Sequence, residues 1–580
     1  MQNETKNCQN CKNDFTIEPE DFDFYEKIKA PPPTFCHQCR LQRRLAFRNE
    51  RNLYKRNDSR TGENIISTFS SDKNMNVYEQ HYWFSDAWDP MEFGLEYDFT
   101  KSFFAQMKDL ICKVPFPSLN NWNAVNTEYA NFATDNKNCY FVFGGDFNEN
   151  CLYSTYNFHC KDSAELYWVN KSEVCAELID SEGNFNSTNS QYIKSCVNTS
   201  FSFNLTGCND CIGCINLRNK GHYIFNQPYT KEDYDKKISE FNLGSYSNLQ
   251  LTKKKFSELY KNAIFRPYRF VNTTNCTGDN IFNSKNCFYC FDVFGGAENC
   301  RYIYLIADGV KDSHSCDHIG LKSELCYESA SIYPASNVIC SWIIRNSHNI
   351  FYSIGCKSSS NLFGCIGLDS KQYCIFNRQY SKEEYENLIP KIIHSMTTLP
   401  YKDSRGLVYS YGDFFPIELS PYSYNETVAQ EVYPMSKEEC LQKNLSWKDL
   451  EDRNYKVTIK STDLPDSIKD TDDSITNETI ACEHSTIDCH ENCITAFRIL
   501  PEELKLYRRI GLALPRLCPN CRHYQKVKQR NLPVLWKRSC SCDVSGHDHT
   551  GKCTNEFNTT YAPDRPEIVY CEKCYQQEVY

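Results

Sequence analysis

Polar residues recur through the middle of the chain at a short and nearly constant interval, and that interval leaves few folds open. Asn126, Asn138, Asn150, Asp162, Asn186 and Asn198 recur at steps of 12 or twice that; Asn275, Asn286, Asn299, Asp312, Glu324, Asn337, Asn349 and Asn361 follow at steps of 11 to 13. Between them lie short runs such as "CYFVF", "RYIYLI" and "CSWII". A strand of about five residues closed by a polar turn fits this spacing, which is too short for a helical repeat. Two marks span about 24 residues, the size expected for one coil of a right-handed β-helix.

The array is itself duplicated. "IGCINLRNKGHYIFNQPYTKEDY" returns as "FGCIGLDSKQYCIFNRQYSKEEY" without a gap. Each copy ends in a helix start, Thr230 with Asp233 and Ser381 with Glu384, placed to cover an open end of stacked strands. Cys139, Cys151, Cys175 and Cys211 share one phase of the shorter step, and Cys160, Cys196 and Cys208 share another. Such columns read as small stacked core residues, because they lack the C-x2-C pairing that metals favour.

The strongest chemical signal lies at the ends. Cys8, Cys11, Cys36 and Cys39 form C-x2-C-x24-C-x2-C, in which two tight knuckles present four thiolates to one zinc ion. Four protein ligands leave no open position, so the site reads as structural. Shifted by 482 positions, residues 11–40 fall on 493–522 with eleven identities, among them Cys493, Cys518 and Cys521. For the fourth ligand of this second ribbon Cys489 is the expected residue, with His490 and Cys482 as alternatives. A third ribbon takes Cys553, Cys571 and Cys574, completed by Cys540, with Cys542, His547 and His549 competing. About three zinc ions are therefore expected. Ser at Cys36 or Cys518 should release one ion and loosen only its own module.

A basic stretch follows each of the first two ribbons. Arg40, Arg44, Arg48, Arg51 and Lys55 step along one face of an expected helix, and from Arg40 to Arg60 the balance is +6; from Lys505 to Cys540 it is +10. The whole chain carries −10, so the remainder holds about −26. Such segregation fits either phosphate binding or docking of the ends on the acidic middle. Elsewhere "KSFFAQMKDLIC" reads as a core-facing helix. "HYWFSDAWDPMEF" reads as an aromatic anchor that could also stack bases or sugars. The acidic "STDLPDSIKDTDDSITNET" reads as a flexible connector.

Thirty-four cysteines would suggest disulfides in an exported protein. Their C-x2-C pairing and array phase, a mean hydropathy of −0.61, and the absence of a signal-like start or an 18-residue apolar run point instead to reduced thiols in a cytoplasmic setting. The expected class is mainly β: a duplicated right-handed β-solenoid-like array flanked by small zinc ribbons, with short capping helices. Its parts are a ribbon with basic helix (1–60), a mixed connector (61–125), two array copies (126–260 and 261–397), a loop-rich linker (398–480), a second ribbon with its basic stretch (481–538) and a third ribbon (539–580).

The pattern "C-x2-C-x3-F-x-I-x-P-E…C-x2-C-R" resembles zinc-ribbon domains of small bacterial proteins, and "YAPDRPEIVYCEKCY" resembles a second ribbon type found beside them. In order, "RLQRRLAFRNERNLY", "WFSDAWDPMEFGLEYDF", "IFNRQYSKEEY" and "YGDFFPIELSPYSYNET" resemble a multi-ribbon family of small-genome bacteria and large DNA viruses, often labelled CaiB/BaiF. That label would imply a coenzyme A transferase. The chain has no G-x-G-x-x-G after a strand and no carboxylate placed to carry an acyl group, so the resemblance implies zinc and architecture rather than a reaction.

Three functions follow as expectations. The first is a non-enzymatic scaffold that holds a protein or nucleic acid, with neither membrane nor small-molecule substrate. The second is a β-helix enzyme acting on a polysaccharide, for which His314, Cys316 and His318 would share one strand face. The third is a nucleic-acid binder without sequence preference.

Overall fold

The computed structural model describes residues 2–449, 455–486, 489 and 491–580. It is mainly β, with a 10-stranded sheet between Glu149 and Pro228 and a 13-stranded sheet between Phe270 and Gln379. Neighbouring strands in both are parallel, apart from one antiparallel hairpin closing each sheet, at Tyr223↔Pro228 and at Cys374↔Gln379.

The pairing register corrects the expected coil of two marks to a coil of one. Thr155 pairs with Tyr167 and Tyr167 with Ile179, so the backbone returns beside itself at every mark. In the second sheet the step varies, from Thr274↔Lys285 to Lys285↔Glu298 to Glu324↔Ser336. The spacing of the polar marks is thus the length of a single coil.

Local conformation explains why a coil can be so short. From Asn123 to Phe225 every third residue has φ between about +47° and +69°, which gives four left-handed corners per coil. Asn, Asp and Gly bear this conformation most easily. Their amides also bond along the stack: Asn126 donates to Asn138, Asn138 to Asn150, and Asn150 to Asp162. In the second sheet Asn275, Asn286, Asn299 and Asp312 repeat the ladder. Of the expected marks Glu324 alone is not a corner; its neighbour Leu325 takes the left-handed turn.

A side of three residues is about 10 Å long, so the interior is narrow. In the first sheet columns of Cys, Ser, Thr and Asn sit beside aliphatic residues such as Leu166, Leu178, Ile193 and Leu205, and in the second Ile, Val and Leu share the core with Cys. The column Cys151, Ser163, Cys175, Ser187, Thr199 and Cys211 is buried throughout. Ser163 Oγ donates to the Lys161 carbonyl and accepts from the Cys175 amide, while Cys175 Sγ donates to the Glu173 carbonyl. Ser, Thr and Cys are interchangeable here because each is small and each satisfies a backbone group that the corner leaves unpaired. Cys160 and Cys196 sit in the second column, each donating its amide N–H to the Asn one coil earlier. All 34 cysteines are free thiols. Labelling of native protein should therefore reach few of them, whereas denaturation after metal removal should release every one; disulfides in number would overturn this core.

Helices cover the sheet ends. Tyr234 of the helix Lys231–Phe241 packs on Ile212 and Ile224, and Tyr385 of the helix Lys382–Thr398 joins the cluster of Ile375 and Phe376. Phe103, Phe104, Met107, Leu110 and Ile111 of the helix Phe103–Lys113 are buried in that same cluster. The acidic segment expected as a flexible connector is instead packed. Leu464, Ile468 and Ile475 lie in a core with Leu504, Tyr507 and Cys518, and Arg516 donates to the carbonyls of Leu464 and Pro465. No helix among the described residues is long and apolar enough to cross a membrane.

Candidate metal centres

Each of three hairpins delivers a cysteine at the end of its first strand. Strands Glu4–Asn7, Ile480–Ala481 and Trp536–Ser539 pair antiparallel with Asp14–Ile17, Ala496–Phe497 and Glu556–Thr559, and run directly into Cys8, Cys482 and Cys540. In each case that sulfur accepts the backbone N–H of the cysteine that caps the following helix: Cys36 to Cys8 at 3.3 Å, Cys518 to Cys482 at 3.2 Å, Cys571 to Cys540 at 3.1 Å.

Three sets of four sulfurs result: Cys8, Cys11, Cys36 and Cys39; Cys482, Cys493, Cys518 and Cys521; Cys540, Cys553, Cys571 and Cys574. Within each set all sulfurs lie within 4.8 Å of one another. Individual spacings of 3.8, 3.9, 3.5 and 4.0 Å compare with about 3.8 Å across a zinc tetrahedron with 2.3 Å bonds. Mutual hydrogen bonds push the Cys8 thiol far below its ordinary range, chiefly through Cys36 and Cys39, and Cys482, Cys493 and Cys521 do the same for Cys518. Burial raises Cys571, but Asn555 and the neighbouring sulfurs outweigh it, leaving the thiol lowered to about 7. In each set the fall is confined to one or two thiols, while partners such as Cys36, Cys493 and Cys574 are pushed up, so the sulfurs share protons rather than shed them all.

The second tetrad corrects the expected ligand set: Cys482, not Cys489, completes it. A gapless shift from the first ribbon assumes a tight knuckle, but here the strand ends well upstream of where such a knuckle would begin. His490 lies outside the described residues. In the third ribbon Cys540 does complete the tetrad. Beside these two tetrads the structure gathers further groups that the sequence reading weighs only as rival ligands or misses. His484, Cys489 and Glu491 meet at Cys521, and Cys542, His547 and His549 meet at Cys574.

The basic stripe is corrected as well. The helix His37–Leu45 ends before Arg48, and Arg40, Arg44, Arg48 and Arg51 are all buried; of the five only Lys55 is exposed. Glu328, a fully buried corner of the second sheet, takes Arg40 at 3.4 Å, Arg43 at 3.1 Å and Arg44 at 2.8 Å, and Arg44 also bonds Asp317 at 3.0 Å. Arg48 pairs with Glu50, and Arg51 donates to Thr155 while lying over Phe141 and Phe143. These cations face carboxylates, hydroxyls and rings of their own chain, not solvent phosphate.

The second ribbon repeats the arrangement on the other sheet. The shift of 482 places Arg40, Arg44 and Arg48 on Arg522, Lys526 and Arg530. Arg522 and Lys526 converge on buried Glu165, holding its carboxyl below the usual range against the pull of burial. Arg530 joins Asp180 of the first sheet to Asp292 of the second at 3.0 and 2.8 Å. The cations nearest each tetrad thus dock crosswise, Arg40, Arg43 and Arg44 on the second sheet and Arg522 and Lys526 on the first, while Arg51 and Arg530 reach the other sheet as well.

His314, Cys316 and His318 do not share a face. Cys316 points into the core of the second sheet, whereas His314 stacks on Phe24 at 3.7 Å and His318 meets Tyr156 at 3.2 Å. Burial, reinforced by Arg301 and Arg40, holds His314 well below its ordinary value. The aromatic run at 81–93 is half-buried rather than a buried anchor, Trp83 and Trp88 packing 3.3 and 3.8 Å from where a Cβ on Gly367 would stand. With Trp122 and Arg345 these rings also wall a cavity of about 330 Å³. Comparison with protein-family models and with curated proteins found no match for this chain.

Proposed function

We propose that this chain is a non-enzymatic zinc-binding scaffold, two right-handed β-solenoid lobes clamped by zinc ribbons, that engages a protein partner in a reducing, cytoplasmic compartment. The burial of the arginine stripe carries this reading: the cations best placed to track phosphate are spent in holding the ribbons to the lobes. What stays open on the lobes carries charges of both signs. Asn ladders alternate with cross-coil pairs such as Lys137–Glu149, Lys161–Glu149 and Lys311–Glu298. A regular polar face of this kind suits a protein surface better than a polyanion. The free thiols support the compartment. The order ribbon, array, ribbon, ribbon supports membership of the multi-ribbon family that the sequence resembles.

The polysaccharide-enzyme reading has less behind it, since the one His/Cys cluster in the array is buried and split between two faces. Two measurements test the proposal. Fluorescence anisotropy with single-stranded DNA, duplex DNA and RNA at low salt should show no binding; tight binding that falls steeply with salt would replace the scaffold by a nucleic-acid protein. Affinity capture from native cells should recover a stoichiometric protein with and without nuclease treatment, and recovery of nucleic acid alone from untreated cells would reject the reading.

A further inference from the structure

The three ribbons differ in one respect that bears on how many ions they hold. In the first, the opening knuckle is tight, Cys8-x2-Cys11. In the second and third it is opened into a long loop, Cys482-x10-Cys493 and Cys540-x12-Cys553. Both enlarged loops carry additional metal-binding side chains, and both bring them to the last cysteine of the closing knuckle. In the second ribbon His484, Cys489 and Glu491 surround Cys521; in the third, Cys542, His547 and His549 surround Cys574. Within each group the ligand atoms lie within 4.8 Å of one another.

The third ribbon shows how its imidazoles are prepared. His547 Nε2 faces the Glu578 carboxylate at 3.3 Å, which places the proton there and leaves Nδ1 free, 3.2 Å from Cys542 Sγ. His549 donates Nδ1–H to the Gly551 carbonyl at 2.7 Å, and its Nε2 is buried with no partner in the protein. A carboxylate or carbonyl fixing one ring nitrogen while the other is offered inward is the outer-shell arrangement of a zinc-bound histidine. A buried nitrogen lone pair with no donor nearby otherwise forfeits the hydrogen bond it would make in water. In the second ribbon Cys489 Sγ lies 3.8 Å from both Cys521 Sγ and Glu491 Oε2 and 3.6 Å from His484 Nδ1. The other Glu491 oxygen is held by Lys528.

We propose that the second and third ribbons are each dinuclear, with the thiolates of Cys521 and Cys574 bridging two zinc ions, so that the chain binds five ions rather than three. This rests on the reading of the four-cysteine sets as zinc sites. The second ion would be held by Cys542, His547, His549 and bridging Cys574 in one ribbon, and by His484, Cys489, Glu491 and bridging Cys521 in the other. Both sets are closed, with four protein ligands each, so the added ions pin the enlarged loops rather than activate water. Loading the added site in the third ribbon displaces one proton, from the Cys542 thiol. The bridging sulfur has already lost its own to the first ion, and both histidines bind as neutral rings.

Elemental analysis of full-length protein purified without chelator should find five zinc ions. His549→Ala, and separately His484→Ala, should each lower the count by one and leave the melting temperature of the lobes unchanged. In protein loaded with cadmium-113, each bridged pair should show metal–metal scalar coupling by NMR, lost for one pair in each variant while the four-sulfur resonances persist. Three ions, unaltered by either substitution and without metal–metal coupling, would overturn the dinuclear sites yet keep the ribbons. A count near zero in folded protein would instead reject the ribbons themselves. Four ions, with only one variant losing metal, would overturn the proposal for the other ribbon.

Discussion

Cys518→Ser is expected to destabilise the whole molecule, not the second ribbon alone. Cys518 caps the helix Pro519–Val527, and Arg522 and Lys526 on that helix are the partners of Glu165. With one thiolate gone the metal is lost or held loosely, and with it the free energy that orders a segment too small to fold on its own core. The helix then cannot hold its cations against the first sheet, and a fully buried carboxylate loses its counter-charges, which costs about 3–5 kcal/mol. Adding the lost metal, the fall in melting temperature should be roughly 10 °C or more. Exhaustive chelation should do the same through all ribbons at once. Circular dichroism melts with parallel zinc analysis decide the matter. If the variant loses its metal while the β-sheet melts as in the wild type, the ribbons are independent modules, as the sequence alone suggests.

The sequence suggests local loosening because a ribbon read from its four cysteines carries no sign of what lies against it. Glu165 and Glu328 are far from the arginines and lysines that meet them, at separations such as 284 and 361 positions. Nothing in either segment alone distinguishes a phosphate-binding stripe from an internal docking face. What local chemistry determines is legible. Asn and Asp fill one column of corners, where they adopt a left-handed φ with little strain and bond along the stack, so their spacing equals the coil length. The expected coil is nonetheless twice too long, because in the first sheet much of the interior is Cys, Ser, Thr and Asn, with aliphatic residues such as Leu178 and Ile193 only at intervals. A period-three column of small polar residues reads as turn, not core. The fourth ligand of the second ribbon escapes for a related reason. Alignment without gaps preserves the knuckle, whereas the fold preserves the strand end, and only the short strand Ile480–Ala481 points to Cys482. The acidic segment at 461–479 is misjudged because three buried aliphatic residues among many acids fall below any compositional threshold, yet suffice to seat it.

Glu328→Ala should be among the most damaging single substitutions outside the metal sites. Its side chain is fully buried at a left-handed corner and is shared by Arg40, Arg43 and Arg44, themselves between 0% and 4% exposed. Removing the carboxylate leaves guanidinium groups that cannot shed their charge, in a site where water cannot reach them. Arg44 keeps Asp317, and Arg43 keeps its place over the Phe35 and Tyr409 rings, so part of the cost is absorbed. A loss of about 3–5 kcal/mol is expected from denaturant unfolding. Glu328→Gln, which keeps the acceptor oxygen and the volume, should lose less. The contrasting pair is Lys27–Asp312, close at 2.9 Å but with side chains 51% and 36% exposed. Asp312→Ala removes a solvated ion pair, one rung of the Asn ladder and a residue suited to its left-handed corner, and should cost about 2 kcal/mol. Measured together, the two substitutions separate buried docking from surface attraction. If Glu328→Ala proves no worse than Asp312→Ala, the arginine cluster is not what holds the first ribbon to the second lobe, and the stripe becomes available again for a partner.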